Sequence, residues 1–464
     1  MTAPIAAPAA DANAVSVHPR VLRGVLGAGA ILPGDPAYES GRRAHNTLFD
    51  RRPAAIVRPT GSLEAARAVR GARELGLDIA VRGGGHSVAG HSTTDGGVLI
   101  DLGYLRQVDI DPVVGIGTAQ GGATAGESMA AAAEHGLATP FGDAATVGLG
   151  GLTLGGGIGW LARKHGMTID NLVSVDLVTA DGELHTVTEV SDPDLFWALR
   201  GGGGNFGIAT RFRYRLHPVS MVTGGALFLP LTAQVLRDVV EVSMAAPDDL
   251  TQITFVMGIP PAPFVPAELV GTPAVVIMPV HAGDPEAGAA AMAPLRSVAT
   301  PIMDVVGPMP YIGMYQLTAG AAEPGPAIVR SAFLGGLDIA GADAIVDVHS
   351  SPAGAAVMTQ LRVLGGAMGR VPAGATAFAH RAAPVMATTM AFVTGAPEEA
   401  AGLADGLLAS LSATSTGVYA NFLGDEDASR VAEAYPGATY ERLVAVKRRV
   451  DPENVFSGNH NIRP

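Results

Sequence analysis

Cysteine is absent from all 464 residues. That absence excludes disulfides, thiolate nucleophiles, iron–sulfur clusters and cysteine-ligated zinc, and it leaves the redox compartment unread, because a chain without thiols is indifferent to it. Charge is scarce too: 16% of residues carry one, and the balance is acidic at a formal −13. No cluster of lysine and arginine relieves it, so a nucleic-acid partner, whose phosphates need a basic face, is not expected. Nowhere do about 18 apolar residues run uninterrupted, so no membrane span is expected either. The opening segment MTAPIAAPAADANAV lacks the basic start and long apolar stretch of a secretory signal and reads as a mobile tail. What remains is a small-molecule partner, handled by a cytoplasmic monomer or homodimer.

The chain is rich in apolar residues (48%) and in glycine (61 residues). The first can bury a large core. The second exceeds the usual share of about 7% and shows no Gly-X-Y period, so backbone turns sharply or approaches something closely in many places. At about 150 residues per domain, the length suggests two or three domains. Residues 54–218 read as glycine-punctuated α/β. Thr60 and Ser62 cap a helix over 63–76, and a strand from Asp78 to Val81 runs straight into RGGGHS. A strand Val98 to Asp101, a helix over 125–136 and a strand over 172–180 follow, the last turning at Asp181-Gly182 into Glu183–Val187. Over 208–216, Phe212, Tyr214 and Leu216 alternate with Arg211, Arg213 and Arg215, the pattern of an antiparallel strand with one wet face.

From 219 to 418, apolar strand-like runs alternate with helices at 232–245, 284–299 and 396–412, which predicts a sheet backed by helices. Helices near 426–434 and 439–449 precede the tail DPENVFSGNHNIRP, unusually polar for a frayed end. Lys447, Arg448 and Arg449 fall at a helix C-terminus and read as macrodipole partners.

Three glycine clusters carry the chemistry: RGGGHSVAGH (82–91), VGLGGLTLGGGIGWL (147–161) and RGGGGNFG (200–207). Consecutive glycines let backbone N–H groups converge on an anion or lie against a planar ring, and three such clusters point to a bound nucleotide. Residues 157–162 fit the dinucleotide fingerprint GxGxxA, with Asp176 or Asp181 about twenty residues on. GLGGLTLGG ahead of them is no central strand, so a nicotinamide dehydrogenase is the lesser reading. His86 and His91, even with Asp95 or Asp101, offer no third ligand and no fixed geometry, and no metal is expected.

Taken together, VRGGGHSVAGHSTTDGGVLIDL (81–102), ATVGLGGLTLGGGIGWLARKHGMTIDNLVSVDLVTADG (145–182), DLFWALRGGGGNFGIATRF (194–212) and RLVAVKRRVDPENVFSGNHNI (442–462) resemble the FAD-linked oxidases of the berberine bridge enzyme group, within the vanillyl-alcohol oxidase fold. The resemblance implies an α+β protein. A discontinuous FAD-binding domain of two subdomains, 1–218 plus 419–464, would clamp the cofactor, and 219–418 would form a substrate domain with an antiparallel sheet backed by helices. It gives the pyrophosphate to the backbone of Arg82, Gly83, Gly84, Gly85 and Ser87, and the flavin 8α-methyl to His86. Gly142, Thr146, Val147, Gly148, Gly151, Gly155, Gly156 and Gly159 would line the diphosphate and ring, Ile208 would lie near the adenine, and Asn459 and Asn461 would approach the flavin from the tail. Relatives with a second link place its cysteine where this chain has Ala144, so only a single link is possible here.

The flavin implied by the resemblance would take hydride from a small alcohol, amine or secondary-metabolite intermediate and pass electrons to O2, the protein supplying orientation and a base. An oxidative cyclase or dehydrogenase is the alternative; Leu152, near the family's oxygen-access position, bears on that choice. The family's functional carboxylate falls at Thr389, with Ala387 two residues earlier, and neither can abstract a proton. Tyr419, in VYANF, is the first candidate to accept or relay a proton. Asn421, Gln360, Arg362, His380, Tyr311 and Tyr315 are further candidates around substrate and flavin.

Overall fold

Alternation in the sequence becomes register in the fold. In Ile208–Arg215, Phe212 and Tyr214 are buried while Arg215 is exposed. The strand lies at the centre of a five-stranded antiparallel sheet, between Ile116–Gln120 and Leu172–Val178, with Val108–Asp111 and Leu184–Val187 at the edges. The computed structural model describes residues 17–424 and 430–464. The segment read as a mobile tail, and the start of the helix expected near 426–434, lie outside them; Val431–Ala434 is helical.

A three-stranded parallel sheet sets Val98–Asp101 between Ala55–Val57 and Ile79–Arg82. The helix Ser62–Glu74 packs on it through Ala65, Ala68, Val69 and Ala72. Its cap differs from expectation: Gly61 holds the cap position without a side-chain bond. Glu64 reaches back instead, its Oε2 accepting from the N–H (2.8 Å) and hydroxyl (2.9 Å) of Thr60, while the Ser62 hydroxyl lies 2.8 Å from Thr210 Oγ1. Neither hydroxyl accepts from a helix N–H: Thr60 is turned to Glu64 and Ser62 to Thr210.

Ten strands between Met221 and Gly417 form one antiparallel sheet, with Pro273–His281, Leu250–Gly258, Val357–Val363, Val385–Phe392 and Ala327–Leu334 side by side at its centre. Four helices, Ala233–Met244, Pro285–Arg296, Ile339–Ser350 and Pro397–Ser410, cover one face. Ile339–Ser350 is not expected from the sequence, whose GADA stretch has little apolar periodicity; Asp338 caps it by accepting from Gly341 N–H. Val357–Val363 is buried throughout, so its period of two sorts it by neighbour. Leu361 and Val363 join the helix-facing core, and Thr359 Oγ1 meets His349 Nε2 at 2.9 Å. Met358, Gln360 and Arg362 therefore face the opposite side.

Lys447 corrects the sequence reading. It is no macrodipole partner: it is fully buried, and its Nζ donates to Asp451 Oδ2 (2.6 Å), Asn205 O (2.8 Å) and Phe456 O (3.0 Å). Asp451 in turn accepts from the N–H groups of Val455 and Phe456. A buried ammonium needs such acceptors, and supplying them folds the polar tail onto the third glycine cluster. Arg449 likewise pairs with Asp192 at 2.8 Å. Lys447→Ala leaves Asp451 as an unpaired buried charge. It should lower unfolding free energy by about 3–5 kcal/mol, measured by urea denaturation; a loss under about 1 kcal/mol, the range of exposed pairs, would contradict this role.

Candidate active site

The strand Ile79–Arg82 ends at the first glycine cluster, and the loop turns back because Gly85 (φ +80°) and Gly90 (φ +73°) are left-handed. Gly84 lies backbone to backbone against Gly148. A Cβ on Gly84 would sit 2.3 Å from Gly148 N, and one on Gly148 2.0 Å from Gly84 N. That contact joins the first cluster to the second and sets His86 beside Thr146, whose Oγ1 is 3.0 Å from His86 Nε2. The His45 ring stacks on His86, centroids 3.8 Å apart and planes 24° from parallel. Burial, with His45 adding to it, holds the His86 pKa down at about 4, so the imidazole is neutral at pH 7.

Several buried polar atoms here lack a partner. Arg82 gives Nε to Ser92 O (3.2 Å) and Nη1 to Arg43 O (3.0 Å), leaving Nη2 unpaired. His91 Nε2 and the Oδ1 atoms of Asn459 and Asn461 are also unpaired. The tail reaches the loops directly: the His460 ring meets His91 edge-on at 4.6 Å, and Asn459 Nδ2 donates to Gly204 O at 3.3 Å. Orphaned buried donors and acceptors are rare in native proteins, and these gather where the first and third glycine clusters meet the tail.

Not every glycine opens space. Gly151 and Gly204 have nothing within 4 Å of a notional Cβ, whereas Gly142 faces Leu152, Gly155 faces Asn421, Gly156 faces Met167 and Tyr419, and Gly159 faces Phe141 O. Gly83 faces Gly121 O at 3.3 Å, Val147 O accepts from Ala125 N–H, and Ser87 Oγ accepts from His91 N–H. Ile208 is buried with Val178, Ala180 and Phe456.

The second half of the site is built around Tyr419. Its hydroxyl oxygen accepts from Gly157 N–H (2.9 Å) and Asn421 Nδ2 (3.0 Å). Burial raises its pKa against the pull of those two donors, so the phenol is protonated at neutral pH. Arg362 lies 5.8 Å over the Phe422 ring. Its Nη2 donates to both carboxylate oxygens of Asp143 (3.0 and 2.9 Å) and to Gln360 Oε1 (2.9 Å), while its Nε has no partner. Thr388, directly across from Gln360 in the sheet, also has a buried, unpaired hydroxyl.

Sequence reasoning missed Asp143, Thr388 and His45. Thr388 was within reach of it: Thr389 pairs with Arg330 and Thr359 on the helix-facing side, and Ala387 packs in the helix core, so the residue sharing a face with Gln360 is Thr388. For Asp143 the only signal is its place next to Ala144. The other candidates stand apart from the Tyr419 hydrogen bonds. His380 Nε2 is held by Glu433 O at 2.9 Å and its ring stacks on Phe333. Tyr311 and Tyr315 meet at 6.2 Å with hydroxyls buried and unpaired, and burial, with Asp143 adding to it, raises both pKa values.

The GxGxxA segment follows the helix Leu149–Gly155 and no strand, and Asp176 lies against Arg211, Arg213 and Thr186. It therefore lacks the frame a nicotinamide would need. Among the described residues no cluster of three or more acidic, histidine or cysteine residues could hold a metal ion, and no helix is long and apolar enough to cross a membrane.

Comparison with known proteins agrees with this geometry. Residues 53–188 match the family described as "FAD binding domain", and residues 418–463 the family "Berberine and berberine like". (R)-6-hydroxynicotine oxidase of Paenarthrobacter nicotinovorans is 31% identical over 451 residues, 94% of this chain and 96% of that protein. The crystal structure of 6-hydroxy-D-nicotine oxidase from Arthrobacter nicotinovorans is 29% identical with a TM-score of 0.83, covering 94% of this chain and 97% of that one. Glucooligosaccharide oxidase of Acremonium strictum, whose FAD is described as 6-S-cysteinyl and 8α-N1-histidyl, shares the fold at 23% identity and a TM-score of 0.85, covering 96% and 99% of the two chains.

The buried histidines make the stability of the site pH-dependent. His86, His91 and His460 have pKa values lowered by burial to about 4, 3 and 4, against about 6.5 in an unfolded chain. The folded values lie below the unfolded one. Their contribution to stability is therefore complete above about pH 6.5 and is lost as pH falls towards 4. The urea midpoint of FAD-free protein should fall steadily from pH 6.5 to 5, above the range where carboxylates titrate; a flat profile there would contradict the burial of neutral imidazoles.

Proposed function

This chain belongs to the berberine-like FAD-linked oxidoreductases of the vanillyl-alcohol oxidase fold, and we propose that it is an oxidase whose FAD is linked once, through His86. It takes hydride from a small alcohol, amine or secondary-metabolite intermediate and passes the electrons to O2, giving H2O2. The observation that carries this reading is His86 itself: a neutral imidazole fixed between Thr146 and His45 on a glycine loop, in a chain with no cysteine for a second link.

The residues present fit FAD. Arg82 Nη2, His91 Nε2 and the Oδ1 atoms of Asn459 and Asn461 are the unpaired donors and acceptors that a dinucleotide's polar groups would satisfy. Backbone N–H groups of Gly83 to Ser87 and of Gly148 would face the diphosphate, with Val147 beside them, its own N–H turned to Ala144 O, and Ile208 would lie on the adenine side. The separate ten-stranded sheet over 221–417 supports a division into an FAD-binding domain, 1–218 plus 419–464, and a substrate domain, 219–418. The protein is read as a cytoplasmic monomer or homodimer.

Bound there, FAD supplies a two-electron acceptor that dioxygen reoxidises. The chain supplies the rest. Two N–H groups already donate to Tyr419 Oη, so what that oxygen still offers is its own proton, and it relays a proton more readily than it rests as a base. Arg362 and Asp143 neutralise one another and, with Gln360 and Thr388, present an uncharged polar wall. The carboxylate on that face, Asp143, is paired with Arg362, so a neutral amine, which can be oxidised without a strong base, fits best. A second reading, a dehydrogenase or oxidative cyclase slow with O2, is favoured by Leu152, whose side chain fills the space against Gly142 and Gly157.

Tyr419→Phe should lower kcat by about a hundredfold or more while flavin content and spectrum stay unchanged; unchanged turnover on a substrate found by an H2O2-release screen would remove Tyr419 from the chemistry. His86→Ala should fold and lose FAD to acid or gel filtration. Wild-type protein that releases all its yellow flavin to the acid supernatant would refute the link.

A further inference from the structure

His45, which stacks on His86, is held in place by contacts of its own. His45 lies in the segment RRAHNTLFD, far in sequence from the glycine loop. Its backbone is pinned from two sides: its N–H donates to Gly85 O at 3.2 Å, and its carbonyl accepts from Gly325 N–H at 3.1 Å. Next to it, Asn46 Nδ2 donates to Ala327 O at 2.8 Å, tying this segment to the large sheet. The His45 ring is thereby held flat against one face of His86.

His86 has few other freedoms. Nε2 faces Thr146, which offers both its hydroxyl and its backbone carbonyl to the ring. With Nε2–H donating there, Nδ1 keeps its lone pair. One edge of the ring is anchored and one face is covered, so the plane of the imidazole is held from two sides.

We propose that His45 is a positioning residue for covalent flavin attachment, acting as a stacking plate that holds the His86 ring in the plane from which Nδ1 attacks. The inference rests on the proposed His86 link. In the step it assists, Nδ1 forms a C–N bond to the flavin 8α carbon and a C–H bond of that carbon breaks. The electron pair of the broken bond passes into the isoalloxazine ring and from there to dioxygen. Dioxygen leaves as hydrogen peroxide with the proton from the 8α carbon and the proton shed by Nε2. His45 takes no part in the bond changes. It reduces the rotational freedom of the attacking ring, and a ring displaced by about 1 Å reacts about a hundredfold more slowly.

The test compares full-length wild type, His45→Ala and His45→Phe. Each is produced, freed of non-covalent flavin by gel filtration and mixed with FAD in air, and the flavin that stays with acid-precipitated polypeptide is followed in time. Phenylalanine keeps a flat ring and removes the imidazole nitrogens. His45→Ala should attach FAD about a hundredfold more slowly while still binding it yellow and reversibly; His45→Phe should restore attachment to within a few-fold of wild type. Attachment by His45→Ala at the wild-type rate overturns the proposal. So does equal failure of Ala and Phe with native-like unfolding midpoints, since that would make an imidazole nitrogen the requirement. Should Ala fail to fold, Phe alone decides, because a slow Phe variant contradicts the plate. Wild type that never acquires acid-stable flavin would defeat the His86 link itself, a result distinguishable from any difference among the variants.

Discussion

The site depends on one close approach, that of the backbone at Gly84 to the backbone at Gly148. Neither position can carry a side-chain carbon, since one would fall 2.3 or 2.0 Å from the opposing nitrogen. Two loops, one leaving the parallel strand Ile79–Arg82 and the other entering the helix Leu149–Gly155, are thereby locked edge to edge. His86 meets Thr146 because that contact exists. The glycine richness of the sequence is thus partly a packing requirement: Gly155 makes room for Asn421 and Gly159 for the Phe141 carbonyl, while Gly151 and Gly204 leave open space.

The remaining walls are brought in by burial of polar groups that need partners. Lys447, fully enclosed, draws Asn205, Asp451 and Phe456 around its ammonium and so fixes the path of the tail towards His91. Arg362, pointing away from the helix layer by the period of its strand, reaches across to Asp143 on the second loop. These two cations, one in each half of the molecule, convert separate segments into a single enclosure. Each works by the same rule, that a buried charge must find its counter-charge and acceptors.

Much of this was legible in the sequence. The alternation of Phe212 and Tyr214 with arginines gave the strand and its wet face, and the three glycine clusters with RGGGHS pointed to the cofactor. The GxGxxA segment follows a helix, in keeping with GLGGLTLGG being no central strand. The parts that could not be read are those decided by distant partners. Lys447 looked like a helix-end cation because its three acceptors are assembled only by the fold. Thr388 escaped because counting residues gives a position along a strand but not its face, and the face is set by which side the helices cover. His45 carries no local pattern and Asp143 only its place beside Ala144: their roles come from partners distant in sequence, His86 and Arg362.

The point of flavin attachment tests the proposed His86 link most directly. Trypsin should release residues 83–106 as one fragment, bounded by Arg82 and Arg106 and containing both His86 and His91. Tandem mass spectrometry of that fragment should place the mass of FAD on His86 and leave His91 unmodified. Flavin found on any other residue, or a fragment of unmodified mass from protein that is yellow before denaturation, would contradict it.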